Sequence, residues 1–267
     1  MQQATGQPEV PPRRRVILLG ASNLAGGLPV VVETARQLFG SPPDIYAALG
    51  HGRSYGTASR FAWRRLPGIL PCRVWDVLGE RAASGPTYAV VTDIGNDIIY
   101  GASPDTLIGW VAECLTRLHT LGARTVMTQL PLPGLRAMSR RRYRLLRRIF
   151  YPFCRMPYTI VLERAEEVAR RLIDLAGEFE VPLIEMRDEW FGPDAIHIAP
   201  QHAATAWGEI LGTWIDARPV GGCPAPSLRT RLIVRRARPE TRWVFGRRLH
   251  RRQPAARLPD GTLLSLY

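Results

Sequence analysis

Residues 14–24 read RRVILLGASNL: a compact apolar run, a glycine, a small residue, a serine and an asparagine, and then LPVVVETARQLF at helical spacing. An unbroken run of this kind suits a strand buried on both faces, and the following period of three and four suits a helix. The same alternation continues along the chain. DIYAAL (44–49), TYAVVTDI (87–94), RTVMTQL (124–130) and VPLIEM (181–186) read as four further strands. Leu107, Val111, Cys114, Leu115 and Leu118 mark a helix between them, residues 137–177 are mostly helical in pattern, and PQHAATAWGEILGTWI closes with another helix. Strands alternating with helices predict a three-layer, doubly wound α/β sandwich around a mostly parallel five-stranded sheet of flavodoxin-like type. No internal repeat is present.

A chain of 267 residues, 46% hydrophobic, can bury one sizeable core. The opening residues 1–13 are polar and Pro-rich and are expected to be a disordered leader before a domain spanning 14–218. No apolar run reaches the roughly 20 residues that cross a bilayer, so a soluble, unexported chain is expected. Cys72, Cys114, Cys154 and Cys223 show no metal-ligand spacing and no dense disulfide pattern, which fits a reducing cytoplasm. No metal or cofactor is implied.

The net charge is +13, and every basic residue is Arg. Without Lys, the phosphate-loop lysine, the kinase lysine, the Schiff base and a Tyr-x-x-x-Lys pair are all excluded. Arg is concentrated in SRRRYRLLRRIFYPFCR (139–155) and in an extension over 219–267, where Glu240 is the one carboxylate between Arg229 and Arg257. Two readings compete: a basic surface for an anionic substrate, a membrane or nucleic acid, or a solvated face in an Arg-favouring composition. The missing Lys favours the second, and nucleic acid is the less favoured partner. The segment 131–158 reads either as a lid or interfacial helix over a site, or as an ordinary basic surface helix. Short pieces RLIV and RWVF in the extension look β-like, in a hairpin packed on the domain or in a mobile arm.

In an open parallel sheet, chemistry gathers in the loops after the strand C-termini. Those loops hold Gly20-Ala21-Ser22-Asn23, Gly52-Arg53-Ser54-Tyr55-Gly56, Gly95-Asn96-Asp97 and Gly192-Pro193-Asp194-Ala195-Ile196-His197. A hydroxyl, flexible backbone, an amide and an Asp/His pair make up the set that acyl transfer requires.

These four blocks, in this order over residues 14–216, resemble the SGNH (GDSL-type) hydrolases. Ala21 stands where that family usually has aspartate, and the third block is compressed. The resemblance implies an SGNH-type fold and a serine hydrolase acting on a small-molecule carboxylic ester without a cofactor. Ser22 would be the nucleophile, His197 its base and Asp194, one helical turn before His197, the orienting carboxylate. The oxyanion donors would be the backbone N–H groups of Ser22 and Gly52 and the side chain of Asn96.

Other readings stay open at this stage. GRSYG fits a nucleophile elbow around Ser54, although an elbow usually lies deeper in the sheet and its Asp and His lie on separate loops. His202 competes as base, whereas His51 and His119 read as solvated or core histidines. Ser22, Asn96 and Asp97 have plain roles as helix caps, and Asp194 with His197 as a surface pair. LGASNLAGG resembles a dinucleotide-binding turn but fails G-x-G-x-x-G. A catalytically idle domain of this fold, binding an anionic partner through its Arg-rich surface, is the alternative function.

Overall fold

The computed structural model describes residues 12–61, 63–215 and 225–267. The expected leader lies almost entirely outside the described residues, as do Cys223 and the first six residues of the extension.

In chain order the elements are β1 (Arg15–Leu19), α1 (Ser22–Phe39), β2 (Asp44–Ala48), the short strands β3 (Ser59–Phe61) and β4 (Arg64–Leu66), α2 (Val74–Glu80), β5 (Thr87–Val91) and α3 (Asn96–Ile99). Then follow α4 (Pro104–Thr120), β6 (Ala123–Thr128), α5 (Leu132–Ala137), α6 (Arg140–Phe150), α7 (Tyr158–Glu178), β7 (Leu183–Ile184) and α8 (Ala203–Gly212). The C-terminal part holds α9 (Leu228–Arg236), β8 (Thr241–Val244), β9 (Arg247–His250), β10 (Ala256–Arg257) and β11 (Leu263–Leu266). No described helix is long and apolar enough to cross a membrane.

The main sheet runs β10-β11-β2-β1-β5-β6-β7. The strands expected from the sequence occupy its centre in the order β2-β1-β5-β6-β7, all parallel, with Val16 opposite Ile45 on one side and Tyr88 on the other. β1 is therefore covered on both faces and flanked on both edges, which accounts for its unbroken apolar run. The strand order reverses at β1, so the crevice at its C-terminal end is the topological switch point of the sheet. Ser22 begins α1 just past that end.

Two apolar cores cover the sheet. One packs α1, α8 and α9 through residues such as Val31, Trp207 and Val234; the other packs α2, α4 and α7 through Val77, Val111 and Leu172. α1 and α8 approach so closely at Gly27 that an added Cβ would lie 2.2 Å from Trp207 Nε1. Only glycine admits that contact.

The expectation of a five-stranded sheet is corrected to seven strands among the described residues. β11 pairs parallel to β2 and β10 antiparallel to β11, both supplied by residues 225–267. The Pro-, Gly- and Arg-rich surroundings masked the short apolar LLSL, whose last three residues are buried. The hairpin β8-β9 pairs with β4 to form a second, four-stranded sheet that the sequence reading did not foresee. RWVF is β-like as expected, but RLIV is helical: Ser227 caps α9 by accepting the Thr230 N–H at 3.1 Å, and Thr230 and Val234 bury one stripe. The terminal strand also reaches the loop after β2. The buried Arg53 guanidinium donates to the carbonyls of Leu49, Pro67 and Tyr267, tying that loop to the end of β11.

Candidate active site

Ser22 is the first residue of α1, and the residue in the cap position, Ala21, has no side chain to satisfy the helix N-terminus. The capping group comes instead from the loop after β5. Asp93 Oδ2 accepts the N–H groups of Ala21 at 2.8 Å and Leu24 at 3.1 Å. A carboxylate at a helix N-terminus is favoured by the orphan donors and by the helix dipole. Ser22 is thereby released from capping, and its own N–H, in the first turn, has no intrahelical acceptor.

The next residue joins the two ends of the chain's chemistry. Asn23 Nδ2 donates to Asp93 Oδ1 at 2.8 Å and to the Ile196 carbonyl at 3.0 Å, while Asn23 Oδ1 accepts the Ile198 N–H at 2.7 Å. These last two bonds flank His197 on either side. The side chain adjacent to Ser22 therefore clamps the backbone of the histidine loop against the N-terminus of α1.

Within that loop, Asp194 Oδ2 lies 2.6 Å from His197 Nδ1, and Asp194 Oδ1 accepts the N–H groups of Ile196 and His197. The pair is held by a tight turn with Ala195 at φ 63°, which corrects the expected helical turn; α8 begins only at Ala203. Burial alone would raise the Asp194 carboxyl, but the hydrogen bonds from His197 and Ile196 outweigh it and hold the pKa below the ordinary value. An ionised Asp194 accepts from Nδ1, which places the ring proton there and leaves a lone pair on Nε2.

Ser22, Gly52, Asn96 and His197 line one cleft of about 560 Å³. Gly52 has φ 65°, in the left-handed region open to glycine, and its carbonyl accepts the Tyr100 hydroxyl at 2.7 Å. Asn96 Oδ1 accepts the Tyr151 hydroxyl at 3.2 Å, which orients the amide so that its NH₂ is the free end. A connected apolar cavity of about 160 Å³ adjoins Ser22, Asn96 and His197 and is walled by Ile98, Leu130, Leu135, Met138, Leu146 and Val161. Its roof is the inner side of α6, where Tyr143, Leu146 and Phe150 point inward.

Ser54 has a different task. It is fully buried and donates to Asp97 Oδ1, while Thr57 N donates to Ser54 Oγ at 2.9 Å. Asp97, expected as a turn or helix-start residue, also accepts the Tyr55 N–H at 3.0 Å and so braces the loop that carries Gly52. Burial pushes its pKa up to about 6 against the hydrogen bonds from Ser54 and Tyr55. The folded state then binds more protons than the unfolded state between the ordinary 3.8 and about 6, so this group's contribution to stability falls as pH rises through that window. Asp97→Asn should remove that fall. Urea unfolding across the same pH range should show the variant gaining stability relative to the parent as pH rises, and parallel curves would contradict the assignment.

His202 precedes α8 and is not among the residues lining the cleft, whereas His51, read from sequence as a bystander, is. Enclosure, Arg64 and His197 lower the pKa of His51. The Asp93 and Asn23 clamps were also missed, because no local pattern marks a hydrogen bond across 70 or 173 residues. Among the described residues, no group of three or more His, Cys, Asp or Glu side chains is placed to hold a metal.

The doubly wound sheet, with Ser22 at its switch point and the Asp194/His197 turn ahead of α8, is an α/β fold that also occurs among solved esterase structures. The acetyl xylan esterase AlAXEase matches with a TM-score of 0.50 at 12% identity, over 75% of this chain and 100% of that one. The psychrotrophic esterase EstA from Pseudoalteromonas sp. matches with 0.48 at 12%, over 76% and 98%, and the SGNH-hydrolase family esterase AlinE4 with 0.44 at 18%, over 74% and 95%. At the level of sequence, no family model and no curated protein matches.

Proposed function

We propose that the protein hydrolyses a carboxylic ester by way of an acyl-enzyme on Ser22. The observation that carries this reading is the Asp194–His197 contact of 2.6 Å on the wall of the cleft that Ser22, Gly52 and Asn96 also line. In the proposed course, His197 Nε2 takes the proton as Ser22 Oγ attacks the ester carbonyl, and Asp194 stabilises the imidazolium. The oxyanion accepts from the backbone N–H groups of Ser22 and Gly52 and from Asn96 Nδ2. His197 then returns the proton to the departing alcohol, and water repeats the sequence to release the acid. The apolar cavity under α6 takes the acyl group; its volume is similar to that of a roughly 150 Å³ protein cavity able to hold benzene, which favours short to medium acyl chains.

A fluorophosphonate probe reacts with a serine only where a base activates it. Labelling followed by peptide mass spectrometry should place the adduct on Ser22. An adduct on Ser54, or no adduct under conditions that label a known serine esterase, would remove the proposal.

A further inference from the structure

α6 roofs the apolar cavity with its inner side, and its outer side carries an uncommon mixture. Leu145 and Ile149, one turn apart, are each 59% exposed, and exposed Arg141, Arg142, Arg144 and Arg148 surround them. Among the described residues, none of these four arginines has a carboxylate within ion-pair distance, and the sequence has no Asp or Glu between Glu113 and Glu163. The turn that follows adds Phe153, 49% exposed.

The same composition recurs on an independent element. α9 borders the cleft through Arg231 and Arg235, and its outer side exposes Leu228 (78%) and Leu232 (56%), again one turn apart, among Arg229, Arg231, Arg235 and Arg236. The two helices pack on opposite faces of the main sheet, α6 through Tyr143 and Leu146 and α9 through Val234, yet both reach a cleft that Ser22 lines, α6 through Phe150 and α9 through Arg231 and Arg235. Leaving aliphatic side chains in water forfeits burial free energy, and ringing them with unpaired arginines adds self-repulsion. Both costs are offset where acyl chains accept the aliphatic groups and anionic headgroups accept the guanidinium groups.

From this pairing we infer that α6 and α9 form a docking surface for an anionic lipid bilayer, which the cleft mouth then faces. Nucleic acid accounts for the arginines and gives Phe153 a base to stack on, but Leu145, Ile149, Leu228 and Leu232 have no ring, and a phosphate backbone offers them nothing. The inference rests on the proposed ester hydrolysis only for the kind of substrate that docking would present, an ester held in or near a membrane. The docking itself requires no turnover.

The test is sedimentation of the full chain with phosphatidylcholine vesicles, with and without phosphatidylglycerol. The parent should bind the anionic vesicles at least about tenfold more tightly than the neutral ones, and added salt should weaken the binding. Leu145→Ser with Ile149→Ser, and separately Leu228→Ser with Leu232→Ser, should each weaken it about tenfold with charge unchanged. Both pairs should still hydrolyse a water-soluble ester at the parent rate. Ser22→Ala protein should bind vesicles like the parent, so a failure of the proposed chemistry would leave the docking result intact. Absence of vesicle binding would overturn the inference. So would serine pairs that bind normally while an Arg141→Gln, Arg148→Gln variant loses affinity for single-stranded RNA, which would assign the surface to nucleic acid.

Discussion

Ser22→Ala should lower kcat for p-nitrophenyl acetate by about ten-thousandfold to a millionfold, with far-UV circular dichroism unchanged. The hydroxyl is spared any structural duty, because Asp93 rather than Ser22 caps α1, so its removal should cost the fold little. His197→Ala should fall as far. The double variant should fall no further than either single one, because the serine and its base act as a unit. Additive losses would mean that the two groups do not share a proton.

The second large effect is expected at Asn96. Asn96→Ala should reduce kcat by about a hundredfold to a thousandfold, corresponding to roughly 2.7 to 4 kcal/mol of transition-state stabilisation, with little change in KM. A donor aimed at the oxyanion contributes only once charge develops, and this separates it from a binding contact. Tyr151→Phe supplies the control for orientation. It removes the 3.2 Å hydrogen bond to Asn96 Oδ1 while leaving the amide in place, and a bond worth about 1 kcal/mol should cost roughly fivefold in kcat. Equal losses in the two variants would place the effect in the tyrosine and not in the amide.

The surface of α6 and the roof of the apolar cavity are the two sides of one short helix. Leu146 and Phe150 line the apolar cavity, while Leu145 and Ile149 face outward among the arginines. A bilayer engaging the outer side would therefore meet the element that closes the proposed acyl pocket.

The central parallel strands were legible because β1, β2 and β5 are flanked on both sides and buried along nearly their whole length, and a strand buried on both faces is apolar almost throughout. The apolar pattern spans six residues, 181–186, but only Leu183–Ile184 pairs as strand, since an edge strand has a partner on one side only and pairing ends where β6 does. β11 was missed for the opposite reason: four residues of strand pattern are too short to stand out from fifty residues of Pro, Gly and Arg. GRSYG shows the limit of reading a motif by composition. Its serine fits an elbow motif, but the neighbour that determines its role is Asp97, forty-three residues away.

By itself, the sequence determined the alternation of strands and helices, the absence of every lysine-dependent chemistry, and the four blocks at strand ends that carry Ser22, Gly52, Asn96 and His197. Those are properties of local order, set by periodicity and by residue type. Only the tertiary structure decided that Asp93 caps the helix Ser22 begins, that Asn23 clamps the loop on both sides of His197, that Ser54 is locked to Asp97, and that the C-terminal strand extends the sheet and anchors the Gly52 loop through Arg53. Each depends on a hydrogen bond between residues far apart in the chain, and the direction of a donor toward a distant acceptor is set by how the sheet winds.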